Sequence, residues 1–146
     1  MIELIAVMLI LSVLVAMAVP LARFTLKREK ERELRRDLWE MRDAIDRYKD
    51  DSDLSLFTTI KKLGDDGYPP DLETLVKGVE VQGDVHGKKI KFLHSIPVDP
   101  MTGQAEWGLR SMQDDPQSDS WGGHSVYDVY SKSEDTALNG TKYKDW

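Results

Sequence analysis

Cysteine is absent from the 146 residues, which excludes a disulfide framework and a thiolate metal site. Any stapling of an external domain therefore falls to packing or to a bound ion. A basic surplus is also lacking: 20 Lys and Arg stand against 26 Asp and Glu, for a net charge of -6 and a pI near 5.1. Phosphate binding needs cations gathered in excess on one face, so nucleic acid is set aside as a direct partner. Catalytic motifs are missing as well. His86, His94 and His124 each lie in a stretch rich in Gly or Pro, without a zinc-binding pair at helical spacing, and there is no Gly-rich phosphate loop. A triad of His94, Asp99 and a distant Ser can be assembled on paper, but many serines make such sets by chance. The chain is read as a non-enzyme.

No basic stretch precedes the apolar run that opens the chain, which weighs against a cleavable secretory signal. Across residues 1–26 the only charged or strongly polar side chains are Glu3, Ser12, Arg23 and Thr25. A helix of about 20 residues crosses a hydrocarbon core of about 30 Å, so this segment is long enough to span. Glu3 is the unusual residue in it, because an ionised carboxylate at the end of an apolar span is costly without a partner. Headgroup depth and the first turn of a helix would tolerate it. Alternatively, the positive amine at the start of a neighbouring subunit would neutralise it. Pro20 removes one backbone hydrogen bond and crowds the carbonyl of Ala16, so a kink or local opening is expected there.

Beyond residue 26 the apolar positions Leu34, Leu38, Met41, Ile45 and Tyr48 recur at intervals of four and three, one stripe down a helix continuous with the span. Between them lie charges of both signs, with Glu31 and Arg35, and Asp43 and Arg47, placed as favourable pairs. A helix covering a small sheet explains the stripe better than a coiled coil of so few heptads. Its end is expected between Lys49 and Leu63, where the aspartates 50, 51 and 53 dilute the pattern and Gly64-Asp65-Asp66-Gly67 stops it. The organisation read from the chain is an apolar helix over 1–26, its amphipathic continuation over 27–60 and an external domain over 61–146.

In that domain Asp71 is placed to cap a short helix with Leu72, Leu75 and Val76 on its apolar face and Gly78 at its end. Residues 79–81, 89–93 and 125–130 have strand-like composition and predict a small antiparallel sheet, giving an α+β fold. A further short strand is expected near Trp107, within the Pro- and Gly-rich stretch 97–123. The tail 131–146 is dense in oxygen-bearing side chains and needs a reason to be ordered.

The start Met1-Ile2-Glu3-Leu4-Ile5-Ala6-Val7, with seventeen residues from Glu3 to Pro20, resembles the mature N-terminus of type IV pilin-like proteins. Mature chains of that family carry a further pair of residues before this point, so Met1 is expected not to be the processed end. Gly67-Tyr68-Pro69, Ile96-Pro97-Val98-Asp99-Pro100, Tyr127-Asp128-Val129-Tyr130-Ser131 and Trp146 are similar to the G-type major pseudopilin of type II secretion. Here Met101 and the residues up to Glu106 intervene before Trp107-Gly108, a longer loop than the family usually has.

The resemblance implies a pilin-like fold and a structural role as a subunit of a helical homopolymer. The implied partners are other copies of the chain, minor pseudopilins, an inner-membrane platform, an assembly ATPase, a prepilin peptidase and a secretin. The implied location is the inner membrane, with a periplasmic domain, before assembly into a filament. Glu3 and Pro20 are the implied assembly residues. G-type pseudopilins commonly fix their C-terminal loop with calcium, an ion that takes six to eight oxygens, and Ser131, Ser133, Asp135, Asn139 and Asp145 are the candidate ligands. Packing by Leu138, Tyr143 and Trp146 is the alternative. A surface type IV pilus and a single-span anchored binding module that never polymerises stay open as other functions. The second draws weight from Arg23, Lys27, Arg28 and Lys30 beside the span, since such flanks normally stay cytoplasmic.

Overall fold

A computed structural model describes residues 1–57 and 66–146. Its first element, α1 (Ile2–Asp53), is a single helix of 52 residues, about 78 Å long at 1.5 Å per residue. The apolar half stands free of the rest of the chain. Its most hydrophobic window has a mean hydropathy of 2.9 and is 0% buried, so α1 is long and apolar enough to cross a membrane. α1 continues through Pro20 with no unwound turn. Of the two effects expected from sequence, a kink or a local opening, the second does not take the form of a break in the helix.

The second half of α1 carries the core. Leu34, Leu38, Met41, Ala44, Ile45 and Tyr48 are all buried, as the four-and-three spacing predicts. They pack against Leu75, Phe92, Leu93, Trp107, Val126, Val129 and Tyr143. Tyr48, Phe57 and Phe92 form a mutually packed aromatic trio with centroids 5.1 to 5.8 Å apart, in which Phe92 meets both other rings edge to face and Tyr48 and Phe57 are tilted. Asp37 is also buried, and desolvation lifts its carboxyl above the usual range while the Arg36 guanidinium at 3.6 Å opposes that shift. α1 ends at Asp53, inside the interval expected, where Leu54 and Ser55 turn the chain and Ser55 takes a left-handed φ of 56°. The expected boundary at residues 60 and 61 and the Gly64-Asp65 stop signal lie outside the described residues.

Helix α2 (Leu72–Lys77) follows its local signals closely. The Asp71 carboxylate accepts from the Thr74 amide at 2.7 Å, satisfying a donor that the first turn leaves unpaired. Gly78 closes the helix with a φ of 79°, and a Cβ there would come within 2.6 Å of the Ile90 carbonyl. Gly78 is thus required by both dihedral angle and space.

The strands are antiparallel, as expected, but shorter than the stretches of strand-like composition. β1 (Val79–Glu80) pairs antiparallel with β2 (Lys89–Ile90), and β3 (Trp107–Arg110) pairs antiparallel with β4 (Asp128–Ser131). Among the described residues these make two separate two-stranded ribbons instead of one sheet. β2 stops at Ile90 because the next apolar residues leave the ladder: the amides of Phe92 and Leu93 both donate to the Leu75 carbonyl, at 3.0 and 3.1 Å. Val126 likewise donates to the Pro69 carbonyl at 2.8 Å, which delays β4 to Asp128. Each ribbon is too small to be stable alone. β4 packs on α1, and Val79 and Ile90 of the other ribbon pack against the core cluster.

Candidate functional site

Two features stand apart from ordinary packing: the bare half of α1 and the way the tail is held to its other half. In the bare half, Glu3 lies in the first turn of α1 and is exposed. Among the described residues no ion pair or hydrogen bond satisfies its carboxylate. It is the sole acid among residues 1–26. Pro20 lies on the same bare stretch and is equally exposed.

The tail is ordered by a ladder of α1 side chains. Lys27 donates to the Thr136 carbonyl at 2.6 Å. Glu31 accepts from the Leu138 amide at 2.8 Å and from the Tyr143 hydroxyl at 2.9 Å. The Arg35 guanidinium lies 4.0 Å above the Trp146 ring. Arg42 donates to the main-chain oxygens of Val129 and Trp146 at 3.1 and 2.8 Å and to the Asp128 carboxylate at 2.6 Å. Tyr143 is completely buried, and desolvation followed by the Glu31 hydrogen bond pushes its hydroxyl well above the ordinary tyrosine range. The tail itself folds as a tight hairpin. Ala137 donates to the Thr141 carbonyl at 2.7 Å, Asn139 Oδ1 accepts from the Thr141 amide and hydroxyl at 3.0 and 2.7 Å, and Trp146 Nε1 donates to the same hydroxyl at 2.7 Å.

Glu31 and Arg35 do not form the helix pair expected from their spacing, because each is drawn to the tail instead. Asp43 and Arg47 do pair, at 3.0 Å. A side chain that bridges to a segment over a hundred residues away leaves no local pattern, so the roles of Lys27, Arg35 and Arg42 were not readable from the chain. Arg110 belongs with them. It is buried, stacks 4.0 Å over the Tyr130 ring and approaches Asp128 at 3.8 Å, so that Asp128 lies between two guanidinium groups.

The five candidate calcium ligands are divided between two clefts. Ser131 and Ser133 line one of about 450 Å³, together with Asp119, Glu134 and the lysines 132, 142 and 144. Asn139 and Asp145 line another of about 630 Å³ between α1 and the hairpin, beside Trp39, Arg42 and Trp146. Asp135 follows the first pair, its amide donating to Ser133 Oγ at 3.3 Å. Ser131 Oγ donates to Asp99 Oδ2 at 2.6 Å, and Asp99, fully buried, also accepts from the Met101 amide at 2.8 Å. Among the described residues no three His, Cys, Asp or Glu side chains gather where a metal could sit.

Comparison of the chain with protein-family models, with curated proteins and with solved structures gives no match.

Proposed function

We propose that this chain is the structural subunit of a helical filament, of the pilin and pseudopilin kind, held in a membrane by the first half of α1 until it is assembled. The observation that carries the proposal is the bare apolar half of α1 with a single unsatisfied acid at its start. Such a surface requires a second apolar solvent: lipid before assembly, and a bundle of identical helices after it. Exchange of one for the other releases little hydrophobic free energy. Packing, neutralisation of Glu3 and work from an assembly motor would then drive growth. Within this reading the major pseudopilin of a type II secretion-like system is preferred, with the minor pseudopilins, platform, ATPase, peptidase and secretin as partners. A surface type IV pilus is the nearest alternative.

The test is electron microscopy of cells overproducing the full chain and its Glu3→Ala variant. Filaments are expected from the parent, with loss or disorder of filaments in the variant and equal membrane insertion of both. Equal behaviour of the two, without fibres, would instead support an anchored module that does not polymerise. The basic run Arg23, Lys27, Arg28 and Lys30 favours that second reading.

Calcium at the tail is part of the proposal. Ser131, Ser133 and Asp135 on one side, or Asn139 and Asp145 on the other, would supply oxygens to it. Protein melted in calcium is then expected to unfold at a higher temperature than protein in EDTA. Equal temperatures would assign the order of the tail to Glu31, Arg35 and Arg42 alone.

A further inference from the structure

The face of α1 that points away from the domain carries Arg28, Arg32 and Arg36, then Trp39, then Asp43, Asp46 and Asp50. Intervals of three and four residues keep all of them on one side of the helix, opposite the buried stripe from Leu34 to Tyr48. Asp43 is half-buried and the others are exposed, Trp39 by 68%. Along this line the cations precede Trp39 and the acids follow it, with Glu29 and the Asp43 partner Arg47 at its margin.

Stability of α1 itself does not account for this order. The helix macrodipole favours acids in the first turn and cations in the last, yet the last turn of α1 contains no basic residue and Asp50 stands next to it. Pairing within the chain accounts for little of it. Arg36 approaches Asp37 at 3.6 Å and Asp43 meets Arg47 at 3.0 Å, whereas Arg28, Arg32, Asp46 and Asp50 have no ion-pair partner among the described residues.

We propose that this stripe is a contact between parallel copies of the chain, offset along the helix axis so that Arg32 of one copy faces Asp46 of the next and Arg36 faces Asp50. The proposal rests on the filament reading above. Both pairs are separated by 14 residues, an axial shift of about 21 Å, and Arg28 then falls beside Asp43, one residue out of step. Trp39 lies between the two charge blocks and covers the junction. Parallel orientation follows from the span, since copies anchored in one membrane point the same way. An antiparallel pair centred on Trp39 would satisfy the same charges but would put the two apolar halves at opposite ends. The offset contact is head-to-tail, so each copy leaves an unused basic block and an unused acidic block, and the array stays open for the next copy.

The absence of cysteine makes the register directly measurable. The full chain carrying both Arg32→Cys and Asp46→Cys would be expressed in cells, and isolated membranes and sheared filaments would be mildly oxidised. A ladder of disulfide-linked multimers is expected from this double variant. Closed dimers without a ladder, or dimers from Trp39→Cys alone, would establish the antiparallel pair and overturn the register. Absence of cross-links in preparations where microscopy finds filaments would overturn the register while leaving the filament reading intact. A charge exchange supplies a second measurement. Asp46→Arg is expected to lower filament yield by about tenfold through like-charge contact, and the Arg32→Asp, Asp46→Arg double variant to recover it. A double variant no better than the single one would also overturn the proposal.

Discussion

At the scale of single residues, Glu31 has the largest effect for its size. Its carboxylate receives two hydrogen bonds from residues 107 and 112 positions away, one of them from the buried Tyr143 hydroxyl. Hydrogen bonds to a charged acceptor contribute about 1.5–3 kcal/mol, and a buried donor left without a partner carries its full desolvation cost. Glu31→Ala is therefore expected to destabilise the domain by about 2–3 kcal/mol, and Glu31→Gln by less, measured by denaturant unfolding in detergent. Tyr143 adds a pH dependence. Its pKa is raised above the ordinary value of 10.0, so the folded state favours the protonated phenol. The stabilisation is complete below pH 10.0 and is lost as the pH climbs through the raised folded value. Melting temperature should fall at strongly alkaline pH in the parent, and the Tyr143→Phe variant should show a smaller alkaline fall. Neither residue announced this role in the sequence. Glu31 reads as half of a helix pair with Arg35, and only the fold reveals that both reach across to the tail.

Among the elements, legibility follows how local each cause is. Helix α2 was readable to the residue because its start and stop are written in Asp71 and Gly78, which act on their immediate neighbours. The α1 stripe was readable because a helical period repeats over many residues. The ribbons were less so. Strands of two and four residues are set by which neighbour takes each amide, and Phe92, Leu93 and Val126 all donate outside their expected ladders. β3 and β4 have one point where space decides the pairing: Gly108 lies under the Tyr130 ring, and a Cβ there would stand 2.2 Å from a ring carbon. Gly108→Ala should force the ring aside, at a cost of about 1–3 kcal/mol typical of overpacking. Moving the Tyr130 ring also disturbs the Arg110 stack, so the variant should loosen the Asp128 contact with α1. Loss of protection at the β4 amides in hydrogen exchange would report it.

For the whole molecule, the core and the span are separable. Every buried apolar residue lies at or beyond Leu34, and the first contact between α1 and the tail is made by Lys27. A chain lacking residues 1–26 is therefore expected to remain folded in aqueous buffer with a melting temperature close to that of the parent domain. The parent should partition into the membrane fraction and the shortened chain should not, a difference read by fractionation and by thermal denaturation side by side. The α+β class and the long apolar helix were legible from composition and periodicity. Glu3 and Pro20 were legible as unusual residues in an apolar run. The division of the tail's oxygens between two clefts was not, because it depends on how the hairpin turns at Asn139 and Gly140.

Because the tail closes against the beginning of the domain, the order of synthesis bears on folding. Leu34 and Leu38 are translated well before the groups that cover them. Tyr143 and Trp146, more than a hundred residues further along, complete that cover. A chain cut short before Tyr143 would leave the part of the core that this residue closes open to proteases.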